Sequence, residues 1–511
     1  MALHEASNHY ERALECVDAL LAIEDDPEGR SRVAMDGATL CRDRLRAPRR
    51  AVQYLDEALD SNPRASLAFE QLLDVLGELQ DWEGQASAYV RMIERLEGPG
   101  EPSEELFVLH RDLAVLHQTR RLDPKAAIDH YERAAILRPN ELTVREALAT
   151  LYEQTEEHLE RAADTHRALL SLDPGRVDSY HRLFGLWERL EETERAWCVA
   201  GLLVGMGEAT QDERDAYERA RPSSLRSLAA VTRQSWDERI RDEDSALSRV
   251  FELLYQSLGD DLSGMSAEEL GIRTNDRVQP ETRTLVLSMI KRVAGILDLP
   301  VPEVYIDRQR EGLRVLPLMP PALGISPSMM SGKNPRELIF HAARALYALH
   351  PNRALAAIYE PERLELLLMA ALHQICDQPP STLRPDIETS EAAQIEAQVS
   401  SVGAALARSL SPGARDELRE LLTPYASGTE TPDIGGWVAH KALARNHAAL
   451  TCCGDVALAM SLLKQDDSGQ LPLGRGDQLR HLVSFAVSEE HQNLRAGVHG
   501  ALAPGGAPSA A

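Results

Sequence analysis

The sequence predicts a mostly α-helical chain, with an N-terminal solenoid of repeated helix pairs followed by an α+β domain that has a small sheet. Aromatic residues make up only 5% of the 511 residues, which suits stacked helices better than sheets. Prolines recur at a regular spacing in the first half. Strand-like segments cluster between residues 302 and 326, inside an otherwise helical second half.

These patterns predict a domain organisation with four parts. We expect helical repeats over 1–220, a linker over 221–245, the α+β domain over 246–500, and a flexible tail over 501–511. Within the α+β domain, two amphipathic helical patterns in 377–435 predict a helical insertion that caps the site discussed below.

The charge balance restricts the class of partner. The chain has 55 basic and 81 acidic residues, a formal charge of −26, so nucleic acid and anionic lipid are disfavoured as partners. Six scattered cysteines form no paired Cys-x-x-Cys motif, and no basic and apolar leader or apolar run of about 20 residues occurs. We expect a cytoplasmic protein without membrane insertion; the pattern leaves its oligomeric state open.

The regular prolines are those that follow helix-like runs such as "LDEALDSNP" and "YERAAILRP". They lie at Pro27, Pro63, Pro99, Pro139 and Pro174, spaced by 36, 36, 40 and 35 residues. Each is expected to start the next helix, because proline fits the first helical position. The longer interval contains "GPGEPSEE", which predicts a loop insertion.

This period and the "YERAAILRP" ending resemble the tetratricopeptide repeat over roughly residues 5 to 215. Ala58 and Ala134 occupy positions where that family has a small residue, and Tyr131 a position where it has an aromatic one. The resemblance implies a superhelix whose groove binds a protein or peptide. The alternative is that the repeats only brace the rest of the chain.

A cluster of five arginines stands out in this acidic sequence. We use the name arginine cluster for the basic residues of "CRDRLRAPRR", which are Arg42, Arg44, Arg46, Arg49 and Arg50. The cluster could dock an acidic peptide or a carboxylate terminus. More often, such a run is a solvated helix end whose arginines pair with local acids.

The second half changes character after a helix predicted over 282–297. "PEVYIDR" predicts one short strand, and "LRVLPLMPPALGIS" predicts a second and a third. The apolar helix "ELIFHAARALYALHP" follows, with three polar side chains at i, i+4 and i+7, namely Glu337, His341 and Arg344. This spacing places the three side chains on one face, which we call the polar stripe. A polar stripe on so apolar a helix is typical of a helix that lines a site.

The order of hairpin and helix resembles the gluzincin metallopeptidases of the CAAX-protease and HtpX type. In that family the helix has the pattern E-L-x-x-x-x-A-H-E-L-x-H. Matching its leading Glu-Leu to Glu337 places Arg344 and Ala348 at the two histidine ligands and Ala345 at the catalytic glutamate. The family's third ligand falls on Ala442, in the later helix containing "WVAHKALARNHAAL".

The resemblance therefore implies a metallopeptidase-like domain that has lost every metal ligand, so we expect no metal, no cofactor and no catalytic residue. We expect Arg344 to fill the vacant place, paired with Glu337 or with an acid from another helix, since an unpaired buried arginine is costly. The alternative is an ordinary arginine that reaches the surface. A rearranged zinc site would have to use His341, His440 and His447.

Residues 250–497 also resemble the C-terminal regions of long tetratricopeptide-repeat proteins of Myxococcota, in which this helix likewise has an arginine in place of the first histidine. The shared segments include "PPALGIS" and "NHAALTCCGDVALA". We therefore expect a non-catalytic scaffold or adaptor that binds a protein partner. The alternatives are a zinc metallopeptidase with a rearranged site, and a domain that only caps the repeat array.

Overall fold

The structure is a computed structural model. It describes residues 9–97, 104–221, 229–240, 245–259, 262, 266–375, 389–466 and 473–499. The predicted tail, the start of the predicted insertion, most of 221–228, the greater part of the "GPGEPSEE" loop and Cys376 lie outside the described residues. The chain divides into two compact units, Met1–Leu172 and Asp173–Ala511.

The described part of the first unit consists of helices in consecutive antiparallel pairs, preceded by α1. The helices are α1 (Tyr10–Ile23), α2 (Pro27–Thr39), α3 (Pro48–Ser61), α4 (Ser66–Glu78), α5 (Trp82–Leu96), α6 (Glu104–Leu116), α7 (Pro124–Leu137), α8 (Leu142–Tyr152) and α9 (Leu159–Leu172). Each helix also packs on the one that follows it, from α2 to α9. This arrangement confirms the predicted α-solenoid.

The repeated prolines occupy two kinds of position. Pro27 starts α2, as predicted, and the Asp26 side chain before it accepts a hydrogen bond from Gly29 N at 2.8 Å. The same prediction is wrong for three other prolines, which lie in turns three residues before the next helix starts: Pro63, Pro139 and Pro174. Pro99 lies outside the described residues. Proline fits both places, because a φ near −65° suits a turn as well as a first helical turn.

Small residues allow the helices of the first unit to approach closely. Ala58 on α3 and Ala134 on α7 are completely buried, and Tyr131, also on α7, is buried as well. Gly37 lies where α1, α2 and α3 meet, and a Cβ atom at this position would come within 2.9 Å of Val17 and 3.0 Å of Tyr54. A side chain at Gly37 would therefore force the three helices apart.

The described part of the second unit begins with the fifth helix pair and a further helix, and continues with the α+β fold. Its helices are α10 (Val177–Arg189), α11 (Thr193–Met206), α12 (Gln211–Ala220), α13 (Arg233–Arg239), α14 (Ser245–Leu258), α15 (Leu285–Ile296), α16 (Pro335–Tyr347), α17 (Pro351–Ile358), α18 (Pro361–Ile375), α19 (Thr389–Ser409), α20 (Pro412–Ala426), α21 (Ile434–Cys453), α22 (Val456–Gln465), α23 (Arg475–Ala486) and α24 (Glu489–His499). The mostly helical fold class is thus confirmed.

The small sheet has three strands in the order β1–β3–β2. Strand β1 (Val304–Ile306) runs parallel to β3 (Ala322–Ile325), and β2 (Leu313–Leu316) runs antiparallel to β3. All four residues of β3 are buried because it is the central strand. The sheet leads directly to α16, which packs against β2, α15 and α21.

The helices of the predicted insertion pack away from α16. Helices α19 and α20 lie against α14 and α18, around a core in which Phe251 and Trp437 have ring centroids 4.6 Å apart. The predicted linker also contains packed structure. Helix α13 buries Trp236, whose indole nitrogen donates to Ile296 O at 3.3 Å.

Helices α11 and α12 are built into the second unit. The Tyr217 hydroxyl donates to Asp455 Oδ1 at 2.7 Å, and Arg495 Nε donates to Glu194 Oε1 at 2.5 Å. Gly205 allows α11 to approach α22, since a Cβ atom there would come within 2.7 Å of Met460 Sδ. Helices α11 and α12, which keep the repeat spacing, thus form part of the core of the second unit. No helix in the described ranges is long and apolar enough to span a membrane.

Candidate functional site

Helix α16 carries the polar stripe into the centre of the second unit. Asn334 caps the helix by accepting a hydrogen bond from Arg336 N at 2.9 Å, and Pro335 fills the first helical position. Glu337 accepts a hydrogen bond from Lys333 Nζ at 2.6 Å, one turn away. The predicted acid partner Glu337 is therefore engaged with Lys333 at the start of the helix.

Arg344 is held by residues from other elements. Its Nε donates to Asn446 Oδ1 on α21 at 2.7 Å, and its Nη1 donates to Asp466 Oδ2, just after α22, at 2.5 Å. Asn446 in turn donates from Nδ2 to Gln478 Oε1 on α23 at 3.2 Å. The Arg344 side chain is only 11% exposed, so these contacts are largely shielded from water. Arg344 thus links α16 to α21 and to the end of α22.

The positions matched to the peptidase pattern lie close together across two helices. Arg344, at the first ligand position on α16, contacts Asn446 on α21, one turn after Ala442 at the third ligand position. Ala345, Ala348 and Ala442 are all buried, at 6%, 6% and 4% exposure. A methyl group has no lone pair to donate, so none of these alanines can bind a metal ion or activate water.

The three histidines named for a rearranged site have different surroundings. Burial, followed by the charge of Arg344, lowers the pKa of His341 to about 4. Burial also lowers the pKa of His447 to about 3, and its ring stacks on Phe485 with centroids 4.1 Å apart. Together with His440, they do not form a cluster that could hold a metal ion; the described residues contain no such cluster of His, Cys, Asp and Glu.

Beside these alanines the second unit contains a cavity of about 640 Å³. Ala348 and Ala442 contribute to its wall, and the remaining lining comes from the β1–β2 loop, β2, the α17–α18 segment and α21. The lining residues are Arg310, Arg314, Val315, Pro317, Ala348, Arg353, Ala356, Ala357, Ile358, Tyr359, Glu360, Pro361, Val438, Lys441, Ala442 and Arg445. The volume suits an organic ligand, which typically occupies some 300–1,000 Å³.

The cavity wall is basic, although the whole protein is acidic. Five of the lining residues are Arg or Lys, whereas Glu360 is the only acidic residue among those lining it in the described part of the chain. Arg314 donates from Nε to the buried Asp307 at 2.6 Å, and Arg353 pairs with Asp237. Positive charge therefore remains in excess at this wall.

Arg445 contributes directly to the excess positive charge of the cavity wall. Burial and the neighbouring Arg344 guanidinium lower the pKa of Arg445 to about 9, so it remains a cation at neutral pH. Its Nε is buried and has no hydrogen-bond partner among the described residues. Asp466, which favours the charged form, already receives the hydrogen bond from Arg344.

Sequence reasoning identified α16 and α21 but missed the cations of this wall. Lys441 and Arg445 are spaced i and i+4, so they share one face of α21, a signal of the same kind as the polar stripe. Arg310, Arg314 and Arg353 gave no such signal, because they come from a loop, a strand and a short helix that only the tertiary fold brings together.

In the first unit, the arginine cluster is distributed around the connection between α2 and α3. Arg42 pairs with Asp43 at 2.9 Å, and Arg50 donates to Glu11 at 3.2 Å. Arg44 lies over the Tyr10 ring, 5.9 Å from its centroid. Arg46 and Arg49 are exposed, with no ion pair to another residue in the described part of the chain. The cluster therefore combines locally paired and solvent-facing cations.

Two solved structures, those of YrrB and MamA, are similar to part of this chain. The chain is similar to YrrB, described as a TPR protein with an unusual peptide-binding site, at 16% identity and a TM-score of 0.25 over 42% of this chain and 97% of YrrB. It is also similar to MamA, at 13% identity and a TM-score of 0.24 over 38% of this chain and 97% of MamA. No protein-family model and no curated protein sequence matches the chain.

Proposed function

We propose that the chain is a non-catalytic scaffold whose repeats bind a protein or peptide and whose second unit is an inactive peptidase-like domain. The observation that carries this proposal is the position of Arg344. A permanently charged guanidinium fills the place matched to the first metal ligand, and Asn446 and Asp466 fix it there. A cation so placed repels a metal ion.

The surface of the first unit supports protein binding. Ten of the twelve large apolar side chains that are exposed among the described residues lie before residue 173, and the most exposed are Leu122, Ile23 and Ile136. Stacked helix pairs also present a long continuous surface, which is how repeat proteins bind their partners. The exposed cations Arg46 and Arg49 suit a partner with acidic groups.

The contacts of α11 and α12 support a second role for the inactive domain. Trp197 donates from Nε1 to Tyr217 O at 2.9 Å, and the Arg495 guanidinium lies 4.8 Å from the Trp197 ring centroid. The C-terminal helices therefore cover apolar surface that a repeat helix would otherwise expose. We propose that the domain closes this end of the repeat array as well.

The metal content of purified protein tests the loss of catalysis. We expect less than one zinc per chain by elemental analysis, and no proteolysis that a chelator abolishes. Converting Arg344→His and Ala345→Glu together should not create activity, because Ala348 and Ala442 leave two ligand positions empty. One zinc per chain, lost on replacement of His341, His440 or His447, would instead establish the alternative of a peptidase with a rearranged site.

Charge reversal tests the repeat surface. Replacing Arg44, Arg46 and Arg49 with Glu should weaken capture of the native partner from its own cells, and the remaining capture should depend less on salt. The matched control reverses three exposed arginines outside the cluster, Arg64, Arg133 and Arg161. If both variants capture the partner equally well at every ionic strength, the arginine cluster has no part in binding.

A further inference from the structure

The cavity in the second unit is lined by both cationic and aliphatic side chains. Arg445, Lys441 and Arg310 supply cations, while Val438, Ala356 and Ile358 supply aliphatic surface. Lys441 is only 7% exposed and lies 5.4 Å from the Trp437 ring centroid, with its Nζ donating to Ser248 Oγ at 2.6 Å. The cavity of about 640 Å³ beside these cations leaves space for a ligand.

The unpaired hydrogen-bond donor of Arg445 is the second observation that points to a ligand. A buried guanidinium normally finds an acceptor for each N–H group, because an unpaired buried charge costs several kcal/mol. The Nε of Arg445 finds none among the described residues, and Asp466, the carboxylate that favours the charged form of Arg445, accepts a hydrogen bond from Arg344. Asp466 thus serves two guanidinium groups with one negative charge, and a bound anion would balance the second positive charge.

We propose that this cavity is a binding site for a small organic anion, with a carboxylate or phosphate group against Arg445 and Lys441 and an apolar body against Val438 and Ala356. Guanidinium groups match both anions through paired N–H donors. The site lies where Ala348 and Ala442 leave room that larger side chains would fill. The ligand would make the inactive domain a sensor of that anion.

This inference deepens the proposed function, since it rests on the second unit holding no catalytic metal. Calorimetric titration of the full chain, with chelator present throughout, keeps the two questions separate. A positive zinc result would overturn the proposed function, whereas the titration reports anion binding whether or not zinc copurifies. The probes are phenyl phosphate, benzoate and the neutral analogue benzyl alcohol.

We expect phenyl phosphate or benzoate to bind at millimolar concentration or below, and benzyl alcohol to bind more weakly than either. Arg445→Met should weaken binding of the anion about tenfold or more, the scale of a lost hydrogen bond to a charged group. Lys441→Met should also weaken it. The matched control, Arg480→Met, removes an exposed arginine paired with Asp477 and should leave the affinity unchanged.

Folding of the variant provides an internal check. Replacing a cation whose buried Nε has no hydrogen-bond partner among the described residues with an apolar side chain should raise the melting temperature of the ligand-free Arg445→Met chain, so loss of binding would not reflect misfolding. The proposal is overturned if neither anion binds the native chain, if benzyl alcohol binds as tightly as the anions, or if the Arg445→Met and Lys441→Met chains retain native affinity.

Discussion

Arg344 shows how a single side chain can connect several elements of a domain. The flat guanidinium donates in fixed directions, so one residue can join α16, α21 and the end of α22. The Nη2 atom of Arg344 is buried without a hydrogen-bond partner among the described residues. The positive charge of Arg344 also lowers the pKa of Arg445. The carboxylate of Asp466 therefore stabilises two cations at once.

Replacing Asp466→Asn should destabilise the second unit by about 2 kcal/mol, the scale of a hydrogen bond to a charged group. Urea unfolding followed by tryptophan fluorescence measures this change, since four of the five tryptophans follow residue 172. Asp477→Asn is the control, because its pair with Arg480 is largely exposed and should contribute about 0–1 kcal/mol. Equal losses in the two variants would contradict the central role of Asp466.

Part of this site could be predicted from the sequence. The spacing of Glu337, His341 and Arg344 predicted a shared face, and the prediction that Arg344 pairs with an acid left its partner open. Asp466 lies 122 residues further along the chain and outside any motif. Local patterns show which way a side chain points, but only the packing of α16 against α21 and α22 decides which acid it meets.

At the scale of elements, α6, the segment that directly follows it and α7 hold a group of three histidines. His110 Nδ1 lies 3.1 Å from His130 Nδ1, and the His117 ring is stacked near the His130 ring with centroids 5.5 Å apart. Burial lowers the pKa of all three, that of His130 to about 4. The helix pair is therefore stable with neutral imidazoles, and protonation opposes its packing.

The first unit should consequently lose stability in acid. A histidine with a lowered folded-state pKa contributes its full stability above the unfolded value of 6.5, and the contribution is lost as the pH falls from 6.5 to about 4. Each pKa unit corresponds to about 1.4 kcal/mol, so His130 accounts for at most about 3 kcal/mol.

The variant His130→Gln cannot titrate, so its stability should fall less steeply than that of the native chain between pH 6.5 and 4. Chemical unfolding at a series of pH values, followed by circular dichroism, measures the difference. His9→Gln, at the exposed residue before α1, should follow the native curve. Parallel curves for His130→Gln and the native chain would show that this histidine does not drive the acid response.

The turns illustrate what an element-scale pattern leaves undecided. Pro48 and Pro124 start α3 and α7, as Pro27 starts α2, although only Pro27 belongs to the regular series. Pro63 and Pro139 instead lie in the turns between helices, three residues before the next helix starts. The period of the prolines therefore located the repeats, while the helix ends depended on packing of the flanking apolar residues.

At the scale of the whole molecule, the sequence predicted the two architectures and the order in which they occur. The expected end of the repeats at 220 followed from spacing, and α10–α12 keep that spacing while belonging to the second compact unit. One signal for this was visible in α11, "TERAWCVAGLLVGM", eight of whose residues are buried. A helix apolar on all sides must be covered on all sides, which a simple repeat surface does not provide.

Two fragments test this division. A chain ending at 172 should fold with a cooperative thermal transition and remain soluble. A chain ending at 220 should bind a hydrophobic dye and associate, because it keeps α10–α12 without the helices that bury Trp197 and Tyr217. Dye fluorescence and analytical ultracentrifugation distinguish the two. If the chain ending at 220 is instead monomeric and binds no dye, the repeat unit ends at 220.

The contact between Tyr217 and the buried Asp455 also constrains how such a chain can change over generations. Asp455 caps α22 by accepting a hydrogen bond from Leu458 N at 3.0 Å, so the same carboxylate serves both segments. Duplication or deletion of a repeat is tolerated where each repeat touches only its neighbours. Descendants of this gene should therefore gain or lose repeats before Asp173, while the helix pair that follows is inherited together with the C-terminal fold.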